Sequence, residues 1–303
     1  MKRRRQTPQW LVILIVFIIF AVLKISDGDV FAPSDKGITP NGTQPAEIAD
    51  ADLAVFFIDV GQADSVLVKA KDQAMLIDAG NNGDSELVVE FIKALGIDTL
   101  DYVIATHPHE DHIGGMDAVI DEFDIKKIIM PKVEHSTRTF EDMIDAIMRK
   151  GLKVTSPVPG TKYPMGDGEF IILAPNSSNY DDVNDYSVVI KFQYKDTAFL
   201  FTGDAGFESE HEMIEKGYEL KADLLKVGHH GSKYSTSQKF LNAVQPRLAV
   251  ISVSKDNEYG HPAPETIARL RQAGIEIYRT DEVGTIIATS DGERIELYSL
   301  VED

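Results

Sequence analysis

The sequence contains no cysteine among its 303 residues. Disulfide bonds, thiolate-bound zinc and a thiol nucleophile are therefore excluded, and any metal site must use nitrogen and oxygen ligands. The sequence also lacks the compositional bias of disordered, collagen-like or coiled-coil chains, because 43% of its residues are hydrophobic and 26% are charged. This length and composition predict a globular protein with a buried core.

Positive charge is scarce and unevenly distributed along the chain. The formal net charge is −19, yet residues 1–25 contain five cations and no acidic residue. Residues 26–303 hold the other 25 cations and all 49 acidic residues, which gives this part a net charge of −24. A body this acidic has no general attraction for a polyanion, so a phosphate-containing substrate would need local positive charge at its site.

A single long apolar run extends from Trp10 to Leu23, after the basic residues at positions 2–5. As a helix it would be about 21 Å long, which is short for a membrane span and also fits a signal sequence. We predict that residues 1–25 form a membrane anchor, with a cleaved signal peptide as the alternative. Because basic residues stay on the cytoplasmic side, we expect the body outside the cytoplasm, on a single-pass membrane protein or secreted after cleavage.

The rest of the chain divides into a linker and one domain. Residues 26–50 are rich in Gly, Pro, Ser, Thr and Asp without apolar periodicity, which predicts a flexible linker. After residue 50, short apolar strands occur both in hairpins and in strand–helix units, which disfavours a doubly wound Rossmann sheet. We predict one α/β domain over residues 51–303, an αββα sandwich of two mixed sheets with helices outside. One of its helices is expected to begin at a capping box at Thr139.

Three of the eight histidines fall within six residues, in the segment THPHEDH at positions 106–112. The segment directly follows an apolar strand. Imidazole and carboxylate groups are the ligands that zinc and related metals accept when thiolate is absent. The spacing allows His107 and His109 to bind one metal, while Asp111 and His112 bind a second.

Other polar residues also lie at the ends of predicted elements. Asp204 follows an apolar strand, and its carboxylate could bridge two metals because each oxygen can bind one. Asp78 ends another strand, where a carboxylate could orient a ligand histidine or a metal-bound water. His229 and His230 follow a third apolar strand, and His261 precedes a helix.

Four remaining residues near or among these motifs have other expected roles. Gly114 and Gly115 follow the histidine segment and are expected to allow a tight turn of the backbone. His211 lies between two glutamates of a helix and is expected at the surface. His135 lies in a loop and is not assigned a role.

Together these motifs resemble the metallo-β-lactamase superfamily, with an Asp-x-Gly strand end, a His-x-His-x-Asp-His segment, a Gly-Asp pair and a late histidine. The segments DVGQADS (59–65) and HHGS (229–232) are similar to those of the extracytoplasmic hydrolase domain of the competence protein ComEC and its stand-alone relatives. The resemblance covers about residues 53–300. It implies an αββα sandwich that holds two metals, usually zinc or manganese, at one sheet edge.

The resemblance also implies a set of metal ligands. The first metal would be bound by His107 and His109, the second by Asp111, His112 and His261, and Asp204 would bridge them. Many family members have a further histidine upstream of the Gly-Asp pair, whereas residues 184–187 contain none here. We expect His230 to replace it at the first metal and His229 to face the substrate, although either histidine could complete the site.

These features predict a membrane-anchored, extracytoplasmic, metal-dependent hydrolase with two divalent ions, zinc being favoured over manganese. The ions would lower the pKa of a bound water, and the resulting metal-bound hydroxide would attack the substrate. Phosphodiester hydrolysis is the first hypothesis, with catalytic roles for Asp111, Asp204 and His229 and with nucleic acid or a short oligonucleotide among the candidate substrates. The alternatives are lactone or β-lactam hydrolysis on the same metals and a non-catalytic binding module.

Overall fold

The computed structural model describes residues 20–24 and 51–302. In this part of the chain the strands are β1 (Phe20–Lys24), β2 (Leu53–Phe57), β3 (Val66–Ala70), β4 (Gln73–Ile77), β5 (Thr99–Leu100), β6 (Tyr102–Ile104), β7 (Asp124–Ile125), β8 (Ile128–Ile129), β9 (Val154–Thr155), β10 (Lys162–Met165), β11 (Gly168–Ala174), β12 (Val189–Tyr194), β13 (Thr197–Phe201), β14 (Leu224–Lys226), β15 (Leu248–Ile251), β16 (Glu276–Arg279), β17 (Thr285–Ser290) and β18 (Ile295–Glu302). The α-helices are α1 (Ser85–Ala94), α2 (Glu110–Ile113), α3 (Met116–Glu122), α4 (Arg138–Arg149), α5 (Phe207–Glu215), α6 (Gln238–Val244), α7 (Pro264–Gln272) and α8 (Thr280–Val283). Short 3-10 helices cover Asn82–Asp84, Val183–Tyr186 and Gly228–Gly231.

Two large sheets organise the described residues. The first has the order β1-β18-β17-β2-β3-β4-β6-β8-β9, and the second has the order β10-β11-β12-β13-β14-β15-β16. Strands β5 and β7 form a separate two-stranded ribbon. Strands β4, β6, β8 and β9 are parallel in the first sheet, as are β13 to β16 in the second. The carboxyl ends of parallel strands share an edge, so each sheet gathers several loops at one edge.

Strand β2 shows how the layers pack. All five of its side chains are buried, and they alternate between two faces because successive residues of a strand point in opposite directions. Leu53, Val55 and Phe57 pack between the two sheets, whereas Ala54 and Phe56 pack toward the helices outside the first sheet.

Helices cover the outer face of each sheet. Side chains of α1, α3 and α4 pack on the first sheet, and side chains of α5, α6 and α7 pack on the second. The layers are therefore helix, sheet, sheet and helix, which confirms the predicted αββα class.

The N-terminal strand differs from the predicted anchor. Phe20–Lys24 pairs antiparallel with β18, from Phe20 opposite Glu302 to Lys24 opposite Tyr298, so the predicted helix is wrong for the end of the apolar run. An apolar run without a polar face is compatible with either structure, and here the backbone groups pair with β18, which places β1 at the edge of the first sheet. The rest of the predicted anchor (1–19 and residue 25) and the predicted linker (26–50) lie outside the described residues. Among the described residues, no helix has the length and apolar character needed to cross a membrane.

The start of helix α4 also differs from the prediction. Thr137, two residues before the predicted capping box, has the extended backbone of an N-cap, and its hydroxyl accepts a 3.3 Å hydrogen bond from the Phe140 amide. Thr139 already lies within the helix, and its hydroxyl accepts a bond from the Asn82 side chain.

Gly114 and Gly115 have a different role from the expected tight turn. Both have ordinary negative φ angles. A Cβ on Gly114 would lie 2.1 Å from the Asn81 carbonyl carbon, and one on Gly115 would lie 2.5 Å from the Ala79 carbonyl oxygen. These positions need glycine because the histidine segment packs directly against the backbone that follows β4.

Candidate metal centre

The predicted site residues come together where the carboxyl ends of the parallel strands face each other. In the first sheet, Asp78 follows β4 and the segment 106–112 follows β6. In the second sheet, Asp204 follows β13, and the pair His229-His230 follows β14. Residues far apart in the chain therefore meet at one edge of the sandwich.

His107 and His109 form a close pair. His107 Nε2 lies 3.0 Å from His109 Nδ1, while His107 Nδ1 lies 3.1 Å from the Thr106 hydroxyl. Burial, together with the neighbouring His112, holds the pKa of His107 well below its usual range, and burial also lowers the pKa of His109. Both rings therefore stay neutral near pH 7, which leaves ring nitrogens that can bind a cation.

Four other residues form a second group, defined here as the four-residue cluster: Asp111, His112, Asp204 and His230. Each offers a ligand atom, and these atoms all lie within 4.8 Å of one another. His112 Nε2 lies 3.3 Å from Asp204 Oδ1, and His230 Nε2 lies 3.3 Å from Asp111 Oδ2. Asp204 Oδ2 lies 3.8 Å from His230 Nε2, so Asp204 approaches both histidines.

The charges in the cluster are strongly coupled. Burial alone would raise the pKa of Asp204, but His112 and His230 outweigh it and hold that pKa well below the usual range. Conversely, burial alone would lower the pKa of His112, but Asp204, Asp111 and Asp78 raise it well above the usual range. The cluster thus favours positive charge beside its carboxylates, as a cation site does.

His112 is held in place by Asp78. Asp78 Oδ2 accepts a 2.8 Å bond from His112 Nδ1, and the same carboxylate accepts bonds from the amide and hydroxyl of Thr106. Because Asp78 holds a proton at Nδ1, Nε2 is the atom of His112 that can act as a ligand, after a bound cation displaces its proton. Asp78 thus has the geometry of a carboxylate that orients a ligand histidine.

Three residues around the centre have an unusual backbone conformation. Asp78, His229 and His230 all have positive φ angles, between 50° and 59°. Such a conformation costs of order 1 kcal/mol or more for a residue other than glycine, and it persists where the surrounding structure imposes it. All three residues lie just after strands that end at the metal centre.

The atoms of the cluster fit a divalent metal. Among the described residues, His112 Nε2, Asp204 Oδ1 and His230 Nε2 are buried and have no hydrogen-bond partner. Buried polar atoms without partners are rare in proteins and need an explanation such as a missing ion. Two imidazole nitrogens with carboxylate oxygens are a donor set that zinc, manganese and related ions accept.

The structure arranges the later histidines differently from our expectation. We expected His230 at the first metal and His261 at the second, but His230 lies in the four-residue cluster. The reason is that His230 Nδ1 bonds to the Ser252 carbonyl oxygen, at 3.0 Å, which turns Nε2 toward Asp111. His229 Nε2 lies 3.7 Å from Asp204 Oδ2, and its side chain is 27% exposed, as a residue that faces a substrate would be.

His261 lies beside these residues and outside the cluster. Its ring lies 5.4 Å from the ring of His229 and stacks at 5.7 Å on that of Tyr259, which is 73% exposed. Burial and the neighbouring His229 lower the pKa of His261 to about 4, so it is neutral near pH 7. This position suits contact with a bound molecule at the entrance of the site.

The stretch that lacks the family's additional histidine contributes a serine. Ser187 Oγ accepts a 3.1 Å bond from the Asp204 amide and lies 3.4 Å from His107 Nδ1. His135, which had no assigned role, lies beside the first pair, with its ring 5.9 Å from that of His109. His211 is at the surface of α5, where its Nδ1 lies 3.6 Å from Glu215.

Two residues of this region escaped the sequence analysis as functional candidates. Asp64 belongs to the segment 59–65, and Lys226 ends β14; both are buried and form an ion pair of 2.9 Å behind His230. The position of Lys226 at the end of an apolar strand, near His229 and His230, could have marked it as a candidate. The sequence alone does not show which carboxylate pairs with it.

The fold and these donor atoms define a metal-dependent hydrolase. Residues 58–255 match the family model described as "Metallo-beta-lactamase superfamily". The chain belongs to this superfamily.

Two curated bacterial proteins are similar to this chain over most of its length. "ComE operon protein 3" of Bacillus subtilis (strain 168) is 32% identical over 250 residues, covering 77% of this chain and 32% of the relative. "Competence protein ComA" of Neisseria gonorrhoeae is 30% identical over 245 residues, covering 80% of this chain and 33% of the relative. The chain thus spans about a third of the length of these relatives.

Solved structures share the fold at low sequence identity. The metallo-beta-lactamase fold protein YhfI from Bacillus subtilis aligns with a TM-score of 0.52 at 12% identity, covering 77% of this chain and 99% of that chain. CmlA, a diiron beta-hydroxylase from Streptomyces venezuelae, aligns with a TM-score of 0.52 at 13% identity, covering 76% of this chain and 53% of that chain. The fold alone therefore does not determine the reaction.

Proposed function

We propose that this chain hydrolyses phosphodiester bonds with two divalent metal ions, and that short single-stranded nucleic acid is its substrate. The observation that carries the proposal is the four-residue cluster with its unpartnered nitrogen and oxygen atoms, where the ring of His112 lies 4.2 Å from that of His107 in the His107–His109 pair. Zinc is the proposed metal and manganese the alternative, since the donors are imidazole and carboxylate.

We assign separate metal-binding, orienting and substrate-binding roles to the residues of the centre. His107 and His109 would hold the first ion, Asp111, His112 and His230 would hold the second, and Asp204 would contact both. When bound, such ions acidify water and polarise a phosphoryl oxygen. Asp78 keeps the His112 Nδ1 proton engaged, so that Nε2 remains a ligand. His229, partly exposed beside Asp204, would donate a hydrogen bond to a substrate oxygen.

Two observations support nucleic acid as the substrate class. One curated relative is a competence protein by name, and the exposed Tyr259 ring stacked on His261 offers a flat surface for a base. The net charge of −19 disfavours long duplexes, because each additional phosphate outside the metal site would meet an acidic surface. A short or single strand therefore fits better than a long duplex.

The experiment is a substrate panel on the purified chain with added zinc or manganese. It comprises bis(p-nitrophenyl) phosphate, a short single-stranded DNA, a long duplex, a lactone and a chromogenic β-lactam. We expect hydrolysis of the phosphodiester and of the short strand, and none in the variant Asp204→Asn. Faster hydrolysis of the lactone or β-lactam would establish the acyl-hydrolase alternative. Bound metal with no turnover of any substrate would identify a binding module.

We also propose that the acidic body acts outside the cytoplasm and is attached to the membrane through the N-terminal segment. The basic residues at positions 2–5 and the apolar run that begins at Trp10 support this orientation. Protease added to intact cells should digest the body, and resistance would contradict the orientation. Sequencing the mature N-terminus tests the secreted alternative, because cleavage before Pro33 would also remove strand β1.

A further inference from the structure

Behind His230 lies a buried ion pair that the proposed reaction does not use. Lys226 is 1% exposed, and its Nζ lies 2.9 Å from Asp64 Oδ2 while it also donates to the Val227 carbonyl oxygen at 2.9 Å. A buried ammonium is costly unless it is paired and hydrogen-bonded, so the fold holds this lysine here through two contacts.

The other oxygen of Asp64 lies beside the ring of His230, a residue of the four-residue cluster. Asp64 Oδ1 lies 3.4 Å from His230 Nδ1, and among the described residues it has no hydrogen-bond donor. On the opposite side of the same ring, His230 Nε2 points toward Asp111 and Asp204. The ring of His230 thus lies between the carboxylate of Asp64 and the cluster.

Asp64 is also tied to the cluster through its backbone. Its amide donates to the Asp111 carbonyl oxygen at 3.0 Å, and its carbonyl oxygen accepts a bond from Gly80 at 2.9 Å. A carboxylate oxygen of Asp64 lies within 4.8 Å of Asp78 and His112 as well. Two buried carboxylates therefore stand behind the two histidines of the cluster, and the Lys226 ammonium offsets the charge of one of them.

We propose that Asp64 and Lys226 are positioning residues, which together orient the ring of His230 and so set the affinity of the four-residue cluster for a divalent cation. Asp78 supports His112 through a direct hydrogen bond, whereas Asp64 acts on His230 through its negative charge at 3.4 Å, beside the hydrogen bond that Nδ1 makes with the Ser252 carbonyl oxygen. The negative charge of Asp64 favours a proton at His230 Nδ1, which donates to the Ser252 carbonyl oxygen, and Nε2 on the other side of the ring then points to the cluster as a ligand. The lysine keeps that carboxylate in place and compensates its charge. The proposal rests on the proposed function of the cluster as a metal site.

The test is a titration of the purified full chain with Co²⁺, followed by its visible absorption, for the parent and for Asp64→Asn. Carboxylates that support metal-bound histidines typically change metal affinity by ~10- to 100-fold. We expect the affinity for one Co²⁺ to fall by that factor in Asp64→Asn and its absorption spectrum to change, while the other Co²⁺ binds as in the parent. Affinities within about threefold of the parent, with an unchanged spectrum, would overturn the proposal.

A matched control separates positioning from simple stability. Asp101 is also a buried aspartate paired with a lysine, since its carboxylate lies 2.7 Å from Lys126 Nζ and accepts the Ala74 amide. It lies at the amino end of β6, whereas the metal centre lies at the carboxyl end of that strand. Asp101→Asn should therefore lower thermal stability without changing Co²⁺ affinity. An equal loss of affinity in Asp101→Asn would overturn the proposal.

Asp64→Asn leaves Lys226 without its partner and could fail to fold. The double variant Asp64→Asn/Lys226→Gln removes both charges, and we expect it to fold and to show the same loss of affinity, because His230 still lacks its carboxylate. Parent-like affinity in the double variant would overturn the proposal. A parent chain that binds no Co²⁺ would instead contradict the metal site itself, which distinguishes failure of the proposed function from failure of the pair.

Discussion

The two sheets contribute to the metal centre in different ways. The first sheet supplies four potential ligands from one continuous segment, residues 106–112, which follows a single strand. The second sheet supplies Asp204 and the His229-His230 pair from the ends of two strands that are neighbours in space and 25 residues apart in the chain. The comparison shows that one side of the site is encoded locally and the other depends on strand order.

The largest effect is expected at Asp204, which comes from the second sheet and contacts ligands that the first sheet supplies. We expect Asp204→Asn to reduce kcat/KM by about 1000-fold and to lower the content of both metals, because it removes the negative charge that both sides share. Metal analysis and the phosphodiester assay check this, with circular dichroism to verify the fold. Activity within a few-fold of the parent with two metals still bound would exclude a bridging role.

A second prediction separates the later histidines. His230→Ala should weaken binding of one metal by at least about 100-fold, because a residue of the cluster is lost. His261→Ala should leave metal content unchanged, because its ring lies outside that cluster. Equilibrium dialysis of both variants measures this. If His261→Ala loses a metal and His230→Ala does not, the arrangement that the family resemblance implied was the better one.

A third prediction concerns the support of the second sheet's side. Glu210 on α5 accepts bonds from the amides of Thr236 and Ser237, just after the His229-His230 turn, and burial raises its pKa to about 7. The folded state therefore binds a proton more tightly than the unfolded state, in which a glutamate has a pKa near 4.3. The contribution of Glu210 to the free energy of unfolding should consequently fall as pH rises through this window, by about 1 kcal/mol per pH unit.

Urea unfolding of the metal-free chain between pH 5 and 7 measures this slope. Relative to the parent, Glu210→Gln should lose the decrease in stability that Glu210 contributes as pH rises, since the side chain no longer titrates. Glu215→Gln, at an exposed position of the same helix, should keep the parent's slope. A slope in Glu210→Gln equal to that of the parent would contradict the contribution of Glu210.

The smallest effect is expected at His211, a histidine that belongs to neither side of the centre. Its side chain is 53% exposed, so His211→Ala should change stability by no more than about 0.5 kcal/mol and should retain metal content and activity. Thermal unfolding and the phosphodiester assay check this. Loss of activity in this variant would mean that the histidines facing the site have been misidentified.

The αββα class could be predicted from the hydrophobic pattern of the sequence and from the turn residues between its short apolar segments. Strand β2 is a short run of consecutive apolar residues, whereas helix α1 repeats its buried apolar residues with the period of a helix. The prediction was wrong at Phe20–Lys24 and at the start of α4. In both places the pattern allowed two structures, and a backbone partner or the conformation of one threonine decided between them.

The sequence by itself determined the chemical type of the centre, because the absence of cysteine and the density of histidine and aspartate at strand ends leave nitrogen and oxygen ligands. The local spacing of residues 106–112 also determined which side chains can share an ion. Only the tertiary structure decided that His230 joins Asp111 and His112, and that Lys226 meets Asp64 behind it. These contacts depend on which strands are adjacent and on the direction in which a ring is held, and covalent spacing does not constrain either across 100 residues or more.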